Sequence, residues 1–288
     1  MRPVAIVSDS THYLTPELAE QVGLHEVSLY VQTGGRQERE SAITDYSAFY
    51  GGLAGLAELP STSQPSIGDF TAAYEPLLAA GSDVISIHLS AGVSGTYGAA
   101  LQAKALLEER GAGGRVEVVD SQTAAGGLGC VILAAAARAR AGAEIESVLA
   151  RALEAREAMR LWFCVDTLEY LQRGGRVGRA QAWLGGALQI KPILSIDSEI
   201  QPVERVRTAG RAFERMIEYM RTLRDEGADA WVVQHIQADA KAAALVDHGR
   251  ELFGSEPIWV SQVGPVIGTY TGPGLVGVGG LPSRLLRS

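Results

Sequence analysis

Short apolar runs separated by amphipathic stretches set the rhythm of the first half of the chain. Residues 4–7 (VAIV) fit a buried strand, with Asp9, Ser10 and Thr11 at its carboxyl end. Residues 15–23 (TPELAEQVG) predict a helix that Thr15 caps, Pro16 opens and Gly23 ends. Residues 24–32 (LHEVSLYVQ), 83–90 (DVISIHLS) and 115–121 (RVEVVDS) predict three more strands. Helices are expected over 44–56, over 67–81 with an interruption at Pro76, after Gly95, over 126–140 and over 144–158. Buried strands alternating with helices predict a mainly parallel sheet covered on both faces, an α/β/α sandwich.

The pattern changes near residue 158. Residues 160–166 (RLWFCVD) are apolar, and 167–188 look helical with a break at Gly174–Gly175. Residues 190–208 alternate and turn near Asp197–Ser198, as a β-hairpin does. A charged helix over 210–226, a strand over 230–236, a helix over 240–253 and strands over 258–263 and 266–270 complete the series. The expected fold class is therefore α/β with two domains: an N-terminal parallel domain, residues 1–158, and a C-terminal mixed-sheet α/β domain, residues 159–288. No internal repeat or low-complexity linker interrupts either half.

Composition narrows the function classes. Of the 288 residues, 47% are hydrophobic and 20% charged, so a sizeable core can form. The formal net charge of −8 argues against sequence-independent nucleic-acid binding, which depends on neutralising phosphates, but leaves room for a local basic patch. The first residues, MRPVAIVSDS, enter a strand without the apolar core of a signal peptide. The most apolar stretch, 128–142, is interrupted by Arg138 and Arg140, so no stable membrane insertion is expected. Cys130 and Cys164 sit in apolar surroundings without metal-ligand spacing, which predicts two buried, reduced thiols in a cytoplasmic protein. No metal or cofactor is expected.

Four segments carry candidate chemistry. In GVSGTY (92–97) an apolar strand runs into a Ser/Gly/Thr loop that opens a helix, a place where free backbone N–H groups meet an anion. The loop departs from the G-x-S-x-G elbow, and a nucleophilic Ser94 needs a base that the scattered His12, His25, His88, His235 and His248 do not obviously supply. His88 reads as a satisfied core histidine. A P-loop is absent, and the literal G-x-G-x-x-G at 272–277 lacks room for the helix and strand of a dinucleotide-binding unit. TSQPS (62–66) is either a turn and helix cap or a set of hydroxyls facing the same crevice. RGGRVGR (173–179), with Lys191, Arg205, Arg207 and Arg211, is a solvated rim or a cradle for an anion or an acidic partner. GPVIGTYTGPG (264–274) reads as a strand edge bearing Thr269, Tyr270 and Thr271, followed by a turn.

Taken in order, IVSDST, TSQPS, HLSAGVSGTY, VVDSQTAAGGLG, DTLEYLQRGGRVG, IKPIL, VRT and VIGTYTGPG resemble the DegV family of bacterial fatty-acid-binding proteins over nearly the whole chain. The resemblance implies a two-domain α/β protein that holds one long-chain fatty acid in an apolar tunnel, carboxylate near the domain junction. It further implies a non-catalytic lipid-binding subunit of a fatty acid kinase system in phospholipid metabolism. A separate ATP-dependent kinase would phosphorylate the bound carboxylate. Thr62 and Ser94 match the family's carboxylate-binding hydroxyls, and Ser63, Gly95, Thr96, Tyr270 and Thr271 complete the expected ligand site. Arg173, Arg176 and Arg207 match basic positions at the mouth, expected to contact the acyl phosphate or the kinase. Transient contact with a membrane is compatible with this role. Tyr270 stands where the family often has the His of GTHTGPG. A phenol, with an ordinary pKa near 10, donates a hydrogen bond but brings no positive charge. Two alternatives stay open: a serine hydrolase of acyl esters, which needs an imidazole beside Ser94, and a regulatory binder of a smaller organic acid, which needs a short pocket.

Overall fold

In the computed structural model, which describes residues 2–53, 58–184 and 190–288, the first apolar run forms β1 (Val4–Asp9). It lies in a parallel sheet with β2 (His25–Val27), β6 (Asp83–His88) and β7 (Val116–Asp120), in the order β2-β1-β6-β7. Helix α1 (Pro16–Gln21) connects β1 to β2, its Thr15 hydroxyl accepting the Leu18 N–H at 3.3 Å. Alternation along β6 sends Val84 and Ser86 to one face and Ile85 and Ile87 to the other. The first face packs on α3 (Ile67–Ala79) and α4 (Thr96–Glu109) through Phe70, Tyr74 and Ala103. The second packs on α5 (Gly126–Arg140) and α6 (Ile145–Ala158) through Leu128, Ile132 and Val148. The expected sheet covered on both faces is what forms.

The sequence from residue 160 onward builds a second, mixed sheet. Its strands are β8 (Arg160–Cys164), β9 (Lys191–Asp197), β10 (Glu199–Val206), β11 (Ala230–His235), β12 (Val260–Gln262) and β13 (Val276–Leu281). They run in the order β10-β9-β8-β13-β11-β12, antiparallel throughout except for the β11–β12 pair. The β9–β10 hairpin turns at Ser198, whose φ of 64° places it in the left-handed region. One face carries α8 (Ala209–Asp225) and α9 (Asp239–Phe253), with Met216, Met220 and Leu245 on Trp231, Val233 and Val278. Helix α5 lies between the two sheets, so residues 126–136 are all buried and all small or apolar. This packing makes the two halves one continuous interior.

The remaining elements depart from the sequence pattern. The run over 24–32 divides at Ser28–Leu29: β2 joins the parallel sheet, and β3 (Tyr30–Thr33) joins a small antiparallel sheet with β4 (Arg36–Arg39) and β5 (Ser61–Ser63). Strand β4 (RQER) is wholly exposed and carries no apolar alternation, which is why periodicity does not reveal it. The helix expected over 44–56 is α2 (Tyr46–Leu53); its remainder falls outside the described residues. The helix expected over 167–188 is α7 (Glu169–Arg173), then a break at Gly174–Gly175 and a 3-10 stretch over Gly178–Trp183, with 185–188 outside the described residues. The strand expected over 266–270 is instead a helix, α10 (Pro265–Thr271). Pro265 suits a first helical turn, and buried Glu40 accepts the Val266 N–H at 2.8 Å, a tertiary contact that outweighs the strand preference of the β-branched residues.

Candidate functional site

Strand β6 ends at His88, and the loop that follows is fixed before it reaches Ser94. The Leu89 N–H donates to Asp9 Oδ2 at 2.9 Å, and the Ser90 hydroxyl donates to the Ser198 carbonyl at the tip of the β9–β10 hairpin. Gly92 lies against that same carbonyl, where a Cβ would come within 2.2 Å of the oxygen, so only glycine fits. The Ser94 hydroxyl lies 2.9 Å from the Thr96 hydroxyl and accepts the Thr96 N–H at 3.3 Å. Thr96 is fully buried and braces Ser94 from below.

Three further elements converge on this loop. Thr62 pairs with Val31 in the β3–β5 ladder and faces inward; Ser63, one residue on, faces outward and accepts from Gln37 Nε2 at 3.2 Å. The Tyr270 hydroxyl lies 2.6 Å from Thr62 Oγ1. The Arg176 guanidinium stands over the Tyr270 ring, 4.6 Å from its centroid. That ring fits because Gly174 lacks a Cβ, which would sit 2.2 Å from the ring edge. The Gln64 amide rests on Gly95, where a Cβ would meet it at 2.5 Å.

Behind these groups opens a cavity lined at its polar positions by Thr62, Gln64, Ser94, Arg176, Gln234, Tyr270 and Thr271, with Gly95 beside them. The rest of its wall is apolar, drawn from Leu89, Phe163, Ile196, Ile200, Val232 and Ile267 on both sheets and α10. Of the residues singled out in the sequence, Ser63, Thr96, Arg173 and Arg207 do not line it. Arg173 points along α7 towards Glu169, 3.6 Å away, and Arg207 is exposed beyond the end of β10. Sequence reasoning missed Gln64, although it lies inside TSQPS, and Gln234. The latter is a buried polar residue on β11 whose Oε1 accepts the Gly126 N–H at the start of α5.

His12, His88 and His235 settle into the core, whereas His25 and His248 are exposed. Ser86 Oγ, His88 Nε2 and Nδ1, and Asp9 Oδ2 form a chain with separations of 2.7 and 3.0 Å, the connectivity of a hydrolase triad. All three residues are 0% exposed, and Tyr74 donates its hydroxyl to Ser86 at 2.7 Å, so no acyl group can reach the serine. Burial pushes the Asp9 carboxyl up, but the bonds and charge of His88, with bonds from Thr11 and Leu89, outweigh it and hold the group below its ordinary range. The hydroxyl partner of Ser94 is Thr96, not an imidazole. Cys130 is buried as expected, whereas Cys164 is only half-buried, its thiol pushed up to about 11 chiefly by burial. The Gly272–Gly277 motif leads into β13 rather than from a strand into a helix, so it is not a dinucleotide loop. Among the described residues no group of His, Cys, Asp and Glu converges as metal ligands do.

A family model described as an uncharacterised protein of the DegV family matches residues 3–283. The chain belongs to the DegV family. It is 40% identical over 281 residues to a DegV domain-containing protein of Streptomyces coelicolor, covering 96% of this chain and 98% of the relative. It is 36% identical over 282 residues to protein DegV of Bacillus subtilis, again 96% and 98%. Two solved DegV structures, both described as fatty acid binding, superpose closely. That from Thermus thermophilus gives a TM-score of 0.86 at 33% identity, covering 97% of this chain and 99% of its own. That from Bacillus subtilis gives 0.87 at 33%, covering 98% and 100%. The DegV fold, with its parallel and mixed sheets, is therefore the fold of this protein.

Proposed function

We propose that this protein binds one long-chain fatty acid and presents its carboxylate to a separate ATP-dependent kinase. The observation that carries the reading is an apolar cavity with one end where hydroxyls of Thr62, Ser94 and Tyr270 and the Arg176 guanidinium meet. Hydrogen bonds to an ionised carboxylate are stronger than neutral ones, so these donors fix the head-group. The tail supplies most of the affinity, roughly 0.8 kcal/mol per buried CH₂. The fatty acid binding described for the Thermus and Bacillus structures supports the same ligand class. Tyr270 brings no charge, but Arg176 stacked on its ring does, and the pair takes the place of an imidazolium.

In this reading the protein is a carrier in phospholipid metabolism rather than a catalyst. Arg176 at the mouth, with exposed Arg173 and Arg207 further out, meets the acyl phosphate or the kinase. The division into domains at 158/159, between α6 and β8, is supported by the change of sheet at that point. Among the described residues no helix is long and apolar enough to cross a membrane. In this reading the protein works in the cytoplasm and meets the membrane by transient contact. The Ser94 hydroxyl lies against Thr96 rather than an imidazole, which argues against a hydrolase, and the apolar lining of the cavity favours an acyl chain over a small polar acid.

Native mass spectrometry of the purified protein, followed by denaturing extraction and lipid analysis, tests this. A stoichiometric fatty acid, lost or reduced in the Thr62→Ala, Ser94→Ala double variant, is the expected result. A protein that stays empty with added C14–C18 acids would sink the proposal.

A further inference from the structure

The Asp9-Ser10-Thr11 tripeptide at the end of β1 stands out in the sequence, yet none of its side chains lines the cavity. We propose that Asp9 and Ser10 form a positioning hub that holds the two halves of the carboxylate-binding end in register, Asp9 through the loop carrying Ser94 and Ser10 through Glu40 and the helix carrying Tyr270. The inference rests on the fatty-acid reading for the identity of the ligand, and on hydrogen bonds alone for the hub.

The first arm begins at Asp9. Its Oδ2 accepts the Leu89 N–H at 2.9 Å and lies 3.0 Å from His88 Nδ1, while Oδ1 accepts from the Thr11 N–H at 3.1 Å and its hydroxyl at 2.5 Å. Leu89 lines the cavity, and five residues later the same loop presents Ser94. The second arm begins one residue on. The Ser10 hydroxyl donates to Glu40 Oε2 at 2.5 Å and accepts the N–H of cavity-lining Leu29 at 3.2 Å. Glu40 Oε1 accepts the Val266 N–H at 2.8 Å and the Tyr13 hydroxyl at 2.9 Å; the Tyr13 oxygen in turn accepts the Ile267 N–H at 3.3 Å. Val266 and Ile267 line the cavity, and one turn later α10 presents Tyr270 to Thr62.

Two neighbouring residues thus reach the parallel sheet, the small antiparallel sheet and α10. Asp9 is 0% and Glu40 2% exposed, so water does not compete for these bonds. The partners of Glu40 are neutral hydroxyls and one backbone N–H, and burial makes its charge costly. Such a carboxylate is a poor source of stability but a firm locator of the groups that donate to it. A misplacement of α10 against the Ser94 loop by a fraction of an ångström would separate the Thr62–Tyr270 pair from Ser94, and the head-group needs both.

Hydrogen exchange of single amides, read together with palmitate affinity, tests the hub with two isosteric variants. Glu40→Gln is expected to weaken palmitate binding about tenfold and to speed exchange at Val266 and Ile267 while leaving Leu89 unchanged. Asp9→Asn is expected to weaken binding by a similar factor and to speed exchange at Leu89 while leaving Val266 and Ile267 unchanged. In the unaltered protein palmitate is expected to slow all three amides together. Should either variant not fold, Ser10→Ala removes only a hydroxyl and is expected to reproduce the α10 signature. Wild-type affinity in folded variants, or faster exchange spread evenly over the molecule, overturns the hub. If the unaltered protein binds no palmitate, the fatty-acid reading fails, and the exchange patterns of the empty variants decide the hub alone: loosening of one arm in each supports it, loosening of neither overturns it.

Discussion

At the scale of single residues, Tyr270 and Arg176 bring a hydroxyl and a charge to one wall of the cavity. The phenol supplies direction, 2.6 Å from Thr62 Oγ1, and the guanidinium supplies charge 4.6 Å above the ring. The two losses are therefore expected to differ in kind. Tyr270→Phe keeps the stacked ring and removes one hydroxyl, so palmitate affinity should fall at least about tenfold at any salt concentration, roughly 1.5–3 kcal/mol for one hydrogen bond to an ionised carboxylate. Arg176→Ala removes an exposed charge, so its effect should be largest in dilute buffer and shrink at high salt. Titration of palmitate at two ionic strengths separates them; equal salt dependence of both variants would remove the charge from the argument. Clustered hydroxyls mark the two segments in the sequence and the family resemblance picks out Thr62 and Ser94 within them, while the β3–β5 register gives Thr62 and Ser63 opposite faces. Gln64 is hidden in the sequence: its motif shows the residue type, and only the close approach to Gly95 shows its place.

At the scale of elements, α10 is where local preference and final structure disagree. Val-Ile-Gly-Thr-Tyr-Thr favours a strand by composition, yet the segment closes one helical turn after another beneath Glu40. Gly268 makes this possible, because α10 crosses α2 so closely that a Cβ there would lie 2.1 Å from the Tyr50 hydroxyl. That hydroxyl is itself committed to the Val263 carbonyl at 2.6 Å and cannot easily withdraw. Gly268→Ala is accordingly expected to lower stability by about 1–3 kcal/mol despite the better helix propensity of alanine, measured by urea unfolding. An unchanged or raised stability would show that α2 and α10 part freely. The helix α5, by contrast, was visible in outline from its Gly/Ala-rich run, since small side chains all round are what a helix between two sheets requires.

At the scale of the whole molecule, a buried carboxylate couples the fold to pH. Glu40 rises from an ordinary 4.5 to about 7, first because burial strips its water and also through repulsion from Glu26, with the Ser10, Val266 and Tyr13 bonds opposing. The other titratable groups facing it are the hydroxyls of Tyr13, Tyr46 and Tyr50, which stay neutral across this range. Between pH 4.5 and 7 the folded state therefore holds this proton more firmly than the unfolded chain does, and the group's contribution to stability falls as pH rises through that window. The loss is on the order of 3 kcal/mol and is complete above pH 7. Asp9 acts in the opposite sense: its lowered value gives stability that is present above its ordinary range and is lost as pH falls through the folded value. Glu40→Gln is expected to remove the decline between pH 5 and 7.5 in urea unfolding; a decline that persists in the variant assigns it to other groups. The alternation of apolar runs determined two sheets, their helices and the hairpin at Ser198, because burial of a strand or a helix face is written in a period of two or of 3.6 residues. Ordered motifs determined the family. Tertiary structure alone decided that residues 24–32 serve two sheets, that 265–271 is a helix, and that a tripeptide on β1 reaches both halves of the site, because each depends on a partner distant in sequence whose position no local pattern encodes.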